Sequence, residues 1–284
     1  MKTLRELCRD SRFSIGAAVL FVLGVLALLT LFSPYDPTVW HVVPLELPPS
    51  WEHLLGTTSM GQDVFWQMTF AVRNSFQLAI LATIIVAVIA VVVGSVAGFC
   101  GGVVDRVLMF FTDAMLVIPV FLILVLLSLV ARDYMNLVTL ALILGIMGWA
   151  WNARVIRSQI LSLREREFTY TAILSGAPVL KLIFNEYIPF ITPLILATLL
   201  GTMGWVIGIE ITLALIGLTN LTIPTLGAML QFALGHAAML RGLWWWIFAP
   251  VGVAIAAVVA LYLMSVSIGE YLDPRTRLQR IGAR

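Results

Sequence analysis

The chain has 284 residues, of which 61% are hydrophobic and only 11% are charged. A soluble domain is nearer half apolar and a quarter charged, so this composition indicates a protein whose solvent is a lipid bilayer. The net charge of +2 is too small to indicate nucleic-acid binding, and two cysteines do not make a disulfide framework.

Six uncharged stretches are long enough to cross a membrane, which takes about 20 apolar residues in a helix. In chain order they cover residues 15–32, 78–101, 115–131, 135–153, 188–215 and 244–268. Each run is continuous rather than alternating, which favours helices over strands. The sequence therefore predicts an all-α membrane protein with about six spanning helices.

The first stretch follows basic residues and so also resembles a secretory signal peptide. Its uncharged run covers residues 13–35, which is longer than a signal core, and no small-x-small cleavage site follows it. We therefore expect a retained first helix that follows a cytoplasmic segment, residues 1–12.

Basic residues predict the orientation, because lysine and arginine accumulate in short cytoplasmic loops. With the N-terminus inside, 14 of the 17 basic residues fall on cytoplasmic segments. The three that fall outside are Arg73, Arg132 and Arg241. Both termini are therefore expected in the cytoplasm, the C-terminal one as a tail over residues 269–284.

Three longer segments lie between the predicted spans. Residues 34–75 form an outer loop rich in Pro and Trp, and residues 154–187 form the one long cytoplasmic loop. Residues 216–243 form an outer segment that is apolar enough to re-enter the membrane. No internal repeat or low-complexity linker divides the chain, so we expect a single transmembrane domain over residues 1–284.

The cytoplasmic loop has the pattern of two short helices joined by a tight turn. One helix is predicted over residues 167–175 and a second from Pro178, because Gly176 suits a left-handed helix end and proline suits a first turn. The pair would form a knob that fills a groove on another protein. An ordinary amphipathic loop on the membrane surface fits the pattern equally well.

Motifs along nearly the whole chain resemble those of the dipeptide, oligopeptide and nickel-type permeases of ABC importers. The cytoplasmic loop resembles their coupling loop, whose signature is Glu-Ala-Ala, three residues, Gly and a later proline. Gly176 falls on the glycine and Pro189 on the proline, while Thr171 and Ala172 fall on the two alanines. Tyr170 stands where the family has glutamate.

The outer segments carry the same resemblance. Residues 55–64 read LGTTSMGQDV and are similar to the family's Leu-Gly-Thr-Asp-x-x-Gly-Arg-Asp-Val, with departures at Thr58 and Gln62. Further matches occur in the family's order at residues 101–105, 210–218, 224–230, 242–246 and 272–275.

The resemblance implies that the loop contacts an ATPase. The residues implied in this contact are Glu167, Tyr170, Thr171, Ala172, Gly176, Ala177 and Pro178. Because the family's glutamate is expected to fix the loop against the ATPase, its replacement leaves two alternatives. Either Glu167, one turn earlier, compensates for it, or the partner permease carries the regular loop.

The resemblance further implies a type I importer permease fold in a bacterial or archaeal cell membrane. The implied partners are a second and different permease, two ATPase subunits and an extracytoplasmic solute-binding protein. The ATPases would use ATP and Mg²⁺, and this chain would bind no cofactor. Family frequency favours peptides as the solute, with oligosaccharides second and nickel complexes as a further alternative.

Glu210 is the one acidic residue deep in a predicted span, where a charge is costly and usually faces the bundle interior. It is either a pathway or gating residue or, as we favour, a structural acid bonded to a neighbouring helix or to the outer segment. Gly204 and Gly208 form a small-xxx-small pair on the helix expected to line the pathway, and Gly94 and Gly98 form another. Close helix packing is the favoured role over substrate contact.

Charged residues near the predicted inner surface leave another choice open. Asp113 begins the third predicted span, and Arg154 and Arg157 follow the fourth. A structural ion pair and separately solvated side chains are equally compatible with this placement.

Two other classes of function receive less support. Secondary transporters often carry repeats, broken helices and several ionisable groups at mid-depth, whereas this sequence has Glu210 alone. A membrane enzyme would need a nucleophile and base, and the chain has neither such a pair nor a phosphate-binding loop. His41, His53 and His236 lack metal-ligand spacing, so no catalytic or metal site is predicted.

Overall fold

The computed structural model describes residues 10–130, 134–176 and 178–272, and over these ranges the regular elements are all helical. The longer helices are α1 (Ser11–Leu28), α2 (Val64–Cys100), α3 (Gly102–Val117), α4 (Val120–Val130), α5 (Leu137–Arg164), α6 (Glu167–Leu174), α8 (Ile188–Leu215), α9 (Leu226–Gly235) and α10 (Trp244–Leu272). A four-residue helix α7 (Val179–Leu182) and a π-helical turn (Ile183–Tyr187) lead into α8, and a 3₁₀ turn (Leu29–Phe32) follows α1.

Five of these helices are long and apolar enough to cross a membrane. They are α1 with its 3₁₀ turn, α2, α5, α8 with the preceding π turn, and α10. A sixth span exists if α3 and α4, which meet at an angle of 80°, are counted together. The prediction of an all-α protein with about six spans is therefore confirmed for the described residues.

The third predicted span, residues 115–131, is wrong as one straight helix. The chain bends instead between α3 and α4, where Ile118 is extended (φ −67°, ψ 129°) ahead of Pro119. Proline lacks a backbone N–H and disfavours helical geometry in the residue before it. The helical path also begins earlier than predicted, at Gly102, after Gly101 ends α2 with a φ of +65°.

The predicted start of the second span at residue 78 is also corrected, because α2 begins at Val64. Asp63 caps this helix by accepting a hydrogen bond from the Trp66 N–H. Residues 64–75 are thus helical rather than part of the outer loop. With 37 residues, α2 is roughly 55 Å long, well beyond the roughly 30 Å of a hydrocarbon core, and the exposed Arg73 lies nearer its N-terminal end.

The fourth span continues to Arg164 instead of stopping near residue 153. Two arginines that were expected to begin the cytoplasmic loop remain in α5 because acidic residues of α3 neutralise them. Arg157 makes a two-pronged ion pair with Asp105, and Arg154 pairs with Asp113. The ion-pair alternative from the sequence is therefore confirmed, and residues 154–164 of the predicted loop are helix.

Close helix packing holds the bundle together at the pair α2 and α5. A side chain on Gly94 would lie 2.6 Å from the Ala153 carbonyl oxygen, and one on Gly98 would lie 2.8 Å from Cβ of Ile160. These distances leave no room for a Cβ atom, so the packing role of Gly94 and Gly98 is confirmed. Buried Asn152 adds a polar link by donating to Thr202 of α8 at 2.9 Å.

The two ends of the bundle differ in charge. At the end that carries α6 and α7, the described basic residues are Arg12, Arg106, Arg154, Arg157, Arg164, Arg166 and Lys181. At the opposite end they are Arg73 and Arg241. This asymmetry follows the distribution that predicted the α6 end to be cytoplasmic. The predicted terminal segments 1–9 and 273–284 lie outside the described residues.

Candidate functional site

The predicted knob is a helical elbow between α5 and α8. Helix α6 ends at Leu174, one residue before the predicted end, and α7 begins immediately after Pro178. Gly176 has a φ of +78°, the left-handed conformation predicted for it. Ala177 lies outside the described residues.

A polar and aromatic anchor fixes α6 to the bundle. The hydroxyl groups of Thr169 and Tyr187 are 2.9 Å apart, and Thr169 also donates to the Leu163 carbonyl oxygen at 2.8 Å. The buried Tyr187 ring meets Phe99 and Phe168 at centroid distances of 6.1 Å. The elbow is therefore attached to the ends of α2 and α5 rather than lying free as a surface loop.

The outward side of the elbow presents the residues that the coupling-loop resemblance singled out. Glu167, Tyr170, Thr171, Gly176 and Pro178 are exposed, and Ala172 is half-buried. Tyr170 is 54% exposed and Leu174, one turn later, is 88% exposed, so together they form an apolar edge. Uncovered apolar groups beside a rigid turn suit contact with another protein, and that contact stays a prediction.

The replacement of the family's glutamate by Tyr170 is visible in the local bonding. The Tyr170 hydroxyl lies 3.4 Å from Oε2 of Glu165. The Thr171 hydroxyl donates to the Glu167 backbone carbonyl oxygen at 3.1 Å. Glu167 itself is exposed, so a partner can reach it.

Glu210 lies at the opposite end of α8 and is completely buried. Its Oε1 accepts a hydrogen bond of 2.6 Å from Thr225, the residue that also caps α9 by accepting from the Ala228 N–H. A side chain on Gly227 would lie 2.8 Å from the same oxygen. This is the bonding to the outer segment that we favoured, whereas a pathway or gating role stays a prediction.

The outer end of α2 is bonded to the same segment. The Asn74 side chain donates to the Pro224 carbonyl oxygen at 2.7 Å, and Ser75 accepts from the Leu226 N–H at 3.1 Å. Asn220 donates to the Met135 carbonyl oxygen at 3.0 Å. Residues 216–243 are thus fixed to α2, α5 and α8 through their loop, whether or not α9 re-enters the bilayer.

The second glycine pair is placed differently from the first. Gly204 faces Val258 of α10 at 3.9 Å, which is ordinary contact, and Gly208 has open space where a side chain would be. The exposed residues of α8 around it include Gly201, Trp205, Gly208 and Thr212. The close packing expected of Gly204 and Gly208 is thus not made among the described residues, and contact with substrate stays a prediction.

The outer loop folds as a small lobe built on the LGTTSMGQDV motif. Gly56 and Gly61 both have positive φ, and a Cβ atom on either would come within 2.8 Å of backbone carbonyl oxygens. The side chain of Trp245 closes the lobe onto α10 by donating to the Thr57 carbonyl oxygen at 3.2 Å. Glu46 and Arg241 add an ion pair of 2.6 Å.

The two residues that depart from the family motif, Thr58 and Gln62, both make hydrogen bonds within the lobe. The Thr58 hydroxyl oxygen accepts from the backbone N–H groups of Met60 and Gln62. The Gln62 amide donates to the Pro37 and Val39 carbonyl oxygens at 2.8 and 3.3 Å. A neutral pair therefore fills the places of the family's Asp and Arg.

Among the described residues, no three His, Cys, Asp or Glu side chains are grouped so that they could hold a metal ion. His53 is instead buried against Asp63, with Nδ1 and Oδ2 2.7 Å apart, next to the cap of α2. His41 belongs to the lobe through its backbone bond to Met60, and His236 follows the end of α9.

Two functional contacts were missed at the sequence level. Nothing in the sequence pairs Tyr187 with Thr169, although a buried tyrosine usually needs a hydrogen-bond partner. Asn152 and Thr202 each lie inside an apolar run, and polar residues in spans tend to bond across helices.

Comparisons with known proteins agree with this architecture. Residues 90–278 match the family model of the binding-protein-dependent transport system inner membrane component. An oligopeptide transport system permease protein, OppC, of Bacillus subtilis is 27% identical over 95% of this chain and 88% of its own length. OppC of Mycobacterium tuberculosis is 28% identical over 95% of this chain and 92% of its own. The dipeptide transport system permease protein DppC of Bacillus subtilis is 27% identical over 96% of this chain and 85% of its own length.

Proposed function

Because the chain belongs to the family of binding-protein-dependent transport system inner membrane components, we propose that it forms half of the translocation pathway of an ATP-driven peptide importer. The observation that carries the choice of solute is similarity over nearly the whole chain to permeases named for oligopeptide and dipeptide transport.

The proposed partners follow from the two ends of the bundle. The elbow at the basic end docks into an ATPase subunit, and a second, different permease completes the pathway. A solute-binding protein delivers peptide to the opposite end, at the lobe of residues 33–63 and the segment 216–243. Both termini lie in the cytoplasm of a bacterial or archaeal cell.

Energy enters through the partners in this proposal. The chain binds no cofactor and catalyses no reaction, while two ATPase subunits bind ATP and Mg²⁺. Their closure moves the elbow, which is anchored through Thr169 and Tyr187. Helix α8 continues from the π turn after the elbow and is tied to α5 by the bond between Asn152 and Thr202. Movement of the elbow therefore reaches the helix that carries Gly204, Gly208 and Glu210.

The proposal is tested by gentle affinity purification of the full chain from its native membrane, followed by mass spectrometry and reconstitution. We expect a second permease, ATPase subunits and a binding protein to co-purify, and uptake into liposomes to require ATP. The co-purified binding protein is then screened with peptides, oligosaccharides and nickel complexes. Isolation of the chain alone, still moving solute without ATP, would identify a secondary transporter instead.

A further inference from the structure

A small cavity lies at the outer end of the bundle, where the start of α5 meets the outer end of α8 and the connection that follows it. Its lining includes Met135, Asn136, Leu140, Glu210, Thr219 and Thr225. Met135 and Leu140 make the wall mainly apolar at the start of α5. Glu210, Thr219 and Thr225 make it polar at α8 and the segment that joins α8 to α9. This position is separate from the elbow and from the lobe.

Two buried polar atoms at this cavity have no hydrogen-bond partner among the described residues. They are Oε2 of Glu210 and the hydroxyl oxygen of Thr219. Glu210 is 0% exposed, its Oε1 accepts a hydrogen bond of 2.6 Å from Thr225, and its carboxylate also accepts from the Gly227 backbone N–H. A buried polar group left without a partner costs about 1–3 kcal/mol, and more when it is charged. A small hydrogen-bonding molecule in the cavity would supply the missing partner to both atoms.

The side-chain oxygens of the two asparagines in the lining already accept hydrogen bonds. Asn136 uses its oxygen to accept from the Thr139 N–H. Asn220 accepts from Thr222 through its oxygen and donates to the Met135 carbonyl oxygen through its nitrogen. One carboxylate oxygen and one hydroxyl are too few for a cation such as Ca²⁺, which takes about 6–8 oxygen ligands.

We propose that this cavity is a site for ordered water, which hydrogen-bonds to Oε2 of Glu210 and to the hydroxyl of Thr219. Water suits both groups because it donates to a carboxylate oxygen and either donates to or accepts from a hydroxyl. Buried waters typically make about three hydrogen bonds to groups that the protein leaves unsatisfied. The water links Glu210 of α8 to Thr219 in the segment between α8 and α9. The direct hydrogen bond between Glu210 and Thr225 lies beside it. The inference does not depend on the solute or on the partners of the chain.

The test is X-ray radiolytic labelling of the full chain, in which hydroxyl radicals form from water at its position and oxidise nearby side chains. Met135 lines the cavity, and Met68 is a matched control because both are 5% exposed and Met68 is not part of the lining. Met239, which is 58% exposed, gives the level for bulk water. We expect Met135 to be oxidised several-fold faster than Met68. Equal oxidation rates for Met135 and Met68 in the unchanged protein would overturn the proposal.

A pair of variants separates bound water from radicals that arrive by another route. Thr219→Val removes one partner of the water, whereas Thr212→Val removes an exposed hydroxyl of α8 that donates to the Gly208 carbonyl oxygen and lies outside the cavity lining. We expect the first variant to lower oxidation of Met135 toward the Met68 level and the second to leave it unchanged. Oxidation of Met135 that is fast but insensitive to Thr219→Val would also overturn the proposal.

Discussion

Replacing Gly176 by aspartate is expected to abolish most solute uptake while the protein remains in the membrane. The residue has a φ of +78°, which costs an L-residue about 1–2 kcal/mol. Among the described residues other than its chain neighbours, no atom lies within 4 Å of where its Cβ would be. In the proposed complex the new carboxylate faces the surface onto which the elbow docks, and weakening that docking by about 1.4 kcal/mol lowers affinity about tenfold.

Gly176→Asn is the matched control, because asparagine has the same size as aspartate, lacks its charge and tolerates positive φ. Uptake of a labelled peptide and the amount of chain in the membrane are measured for both variants. We expect Gly176→Asn to keep a substantial part of the uptake that Gly176→Asp loses. Normal uptake by Gly176→Asp would show that the elbow does not couple transport to a partner.

Replacing Gly227 by valine is expected to destabilise the folded chain strongly. A Cβ atom at this position would lie 2.6 Å from Cβ of Ala214, 2.8 Å from Oε1 of Glu210 and 2.9 Å from Cα of Ile211. Overpacking of this kind typically costs about 1–3 kcal/mol. Helix α9 must also move away from α8, which breaks the bond between Thr225 and Glu210 and adds about 1.5–3 kcal/mol.

Gly235→Val places the same side chain on the same helix, where the nearest atom, Oε1 of Gln231, is 3.6 Å away. Thermal unfolding and gel filtration in detergent compare the two variants with the unchanged protein. Gly227→Val should unfold at a clearly lower temperature or aggregate, while Gly235→Val should stay close to the unchanged protein. Indistinguishable unfolding of the two variants would mean that the contact between α8 and α9 contributes little to stability.

Hydrophobicity predicted the spans well but not where the helices end. The range predicted for α8, residues 188–215, agrees with Ile188–Leu215, and α10 begins at Trp244 as expected. The start of α2 and the end of α5 differ from the prediction, because each helix continues past a charged residue. Arg73 is tolerated at the outer end of α2, and Arg157 stays helical because Asp105, 52 residues earlier, pairs with it. Counting uncharged runs cannot detect a partner on another helix.

The bend between α3 and α4 had a signal in the sequence that hydrophobicity ignores. Pro119 interrupts an otherwise apolar run, and a proline ends or kinks a helix at the residue before it. Residues 115–131 therefore looked continuous only because no charge divides them. Local backbone chemistry, rather than polarity, decides the path of the chain there.

The candidate site was predictable where one residue type dictates one local geometry. Gly176 is such a case, because a glycine between two short helices indicates a turn with positive φ, which glycine adopts at little steric cost. Contacts over long separations were not predictable, and the bond between Thr169 and Tyr187 across 18 residues is an example. For Glu210 the sequence left several partners open, and packing of the outer segment selected Thr225.

The most direct test of the central claim is cysteine cross-linking of the elbow to the co-purified subunits. In a chain whose Cys8 and Cys100 are replaced by serine, Leu174→Cys places a thiol on the elbow and Leu240→Cys places one at the opposite end. The two positions are matched in exposure, at 88% and 91%. The account predicts that Leu174→Cys cross-links to an ATPase subunit and that Leu240→Cys does not. Cross-linking of the ATPase to Leu240→Cys, or to neither variant in the intact complex, would contradict it.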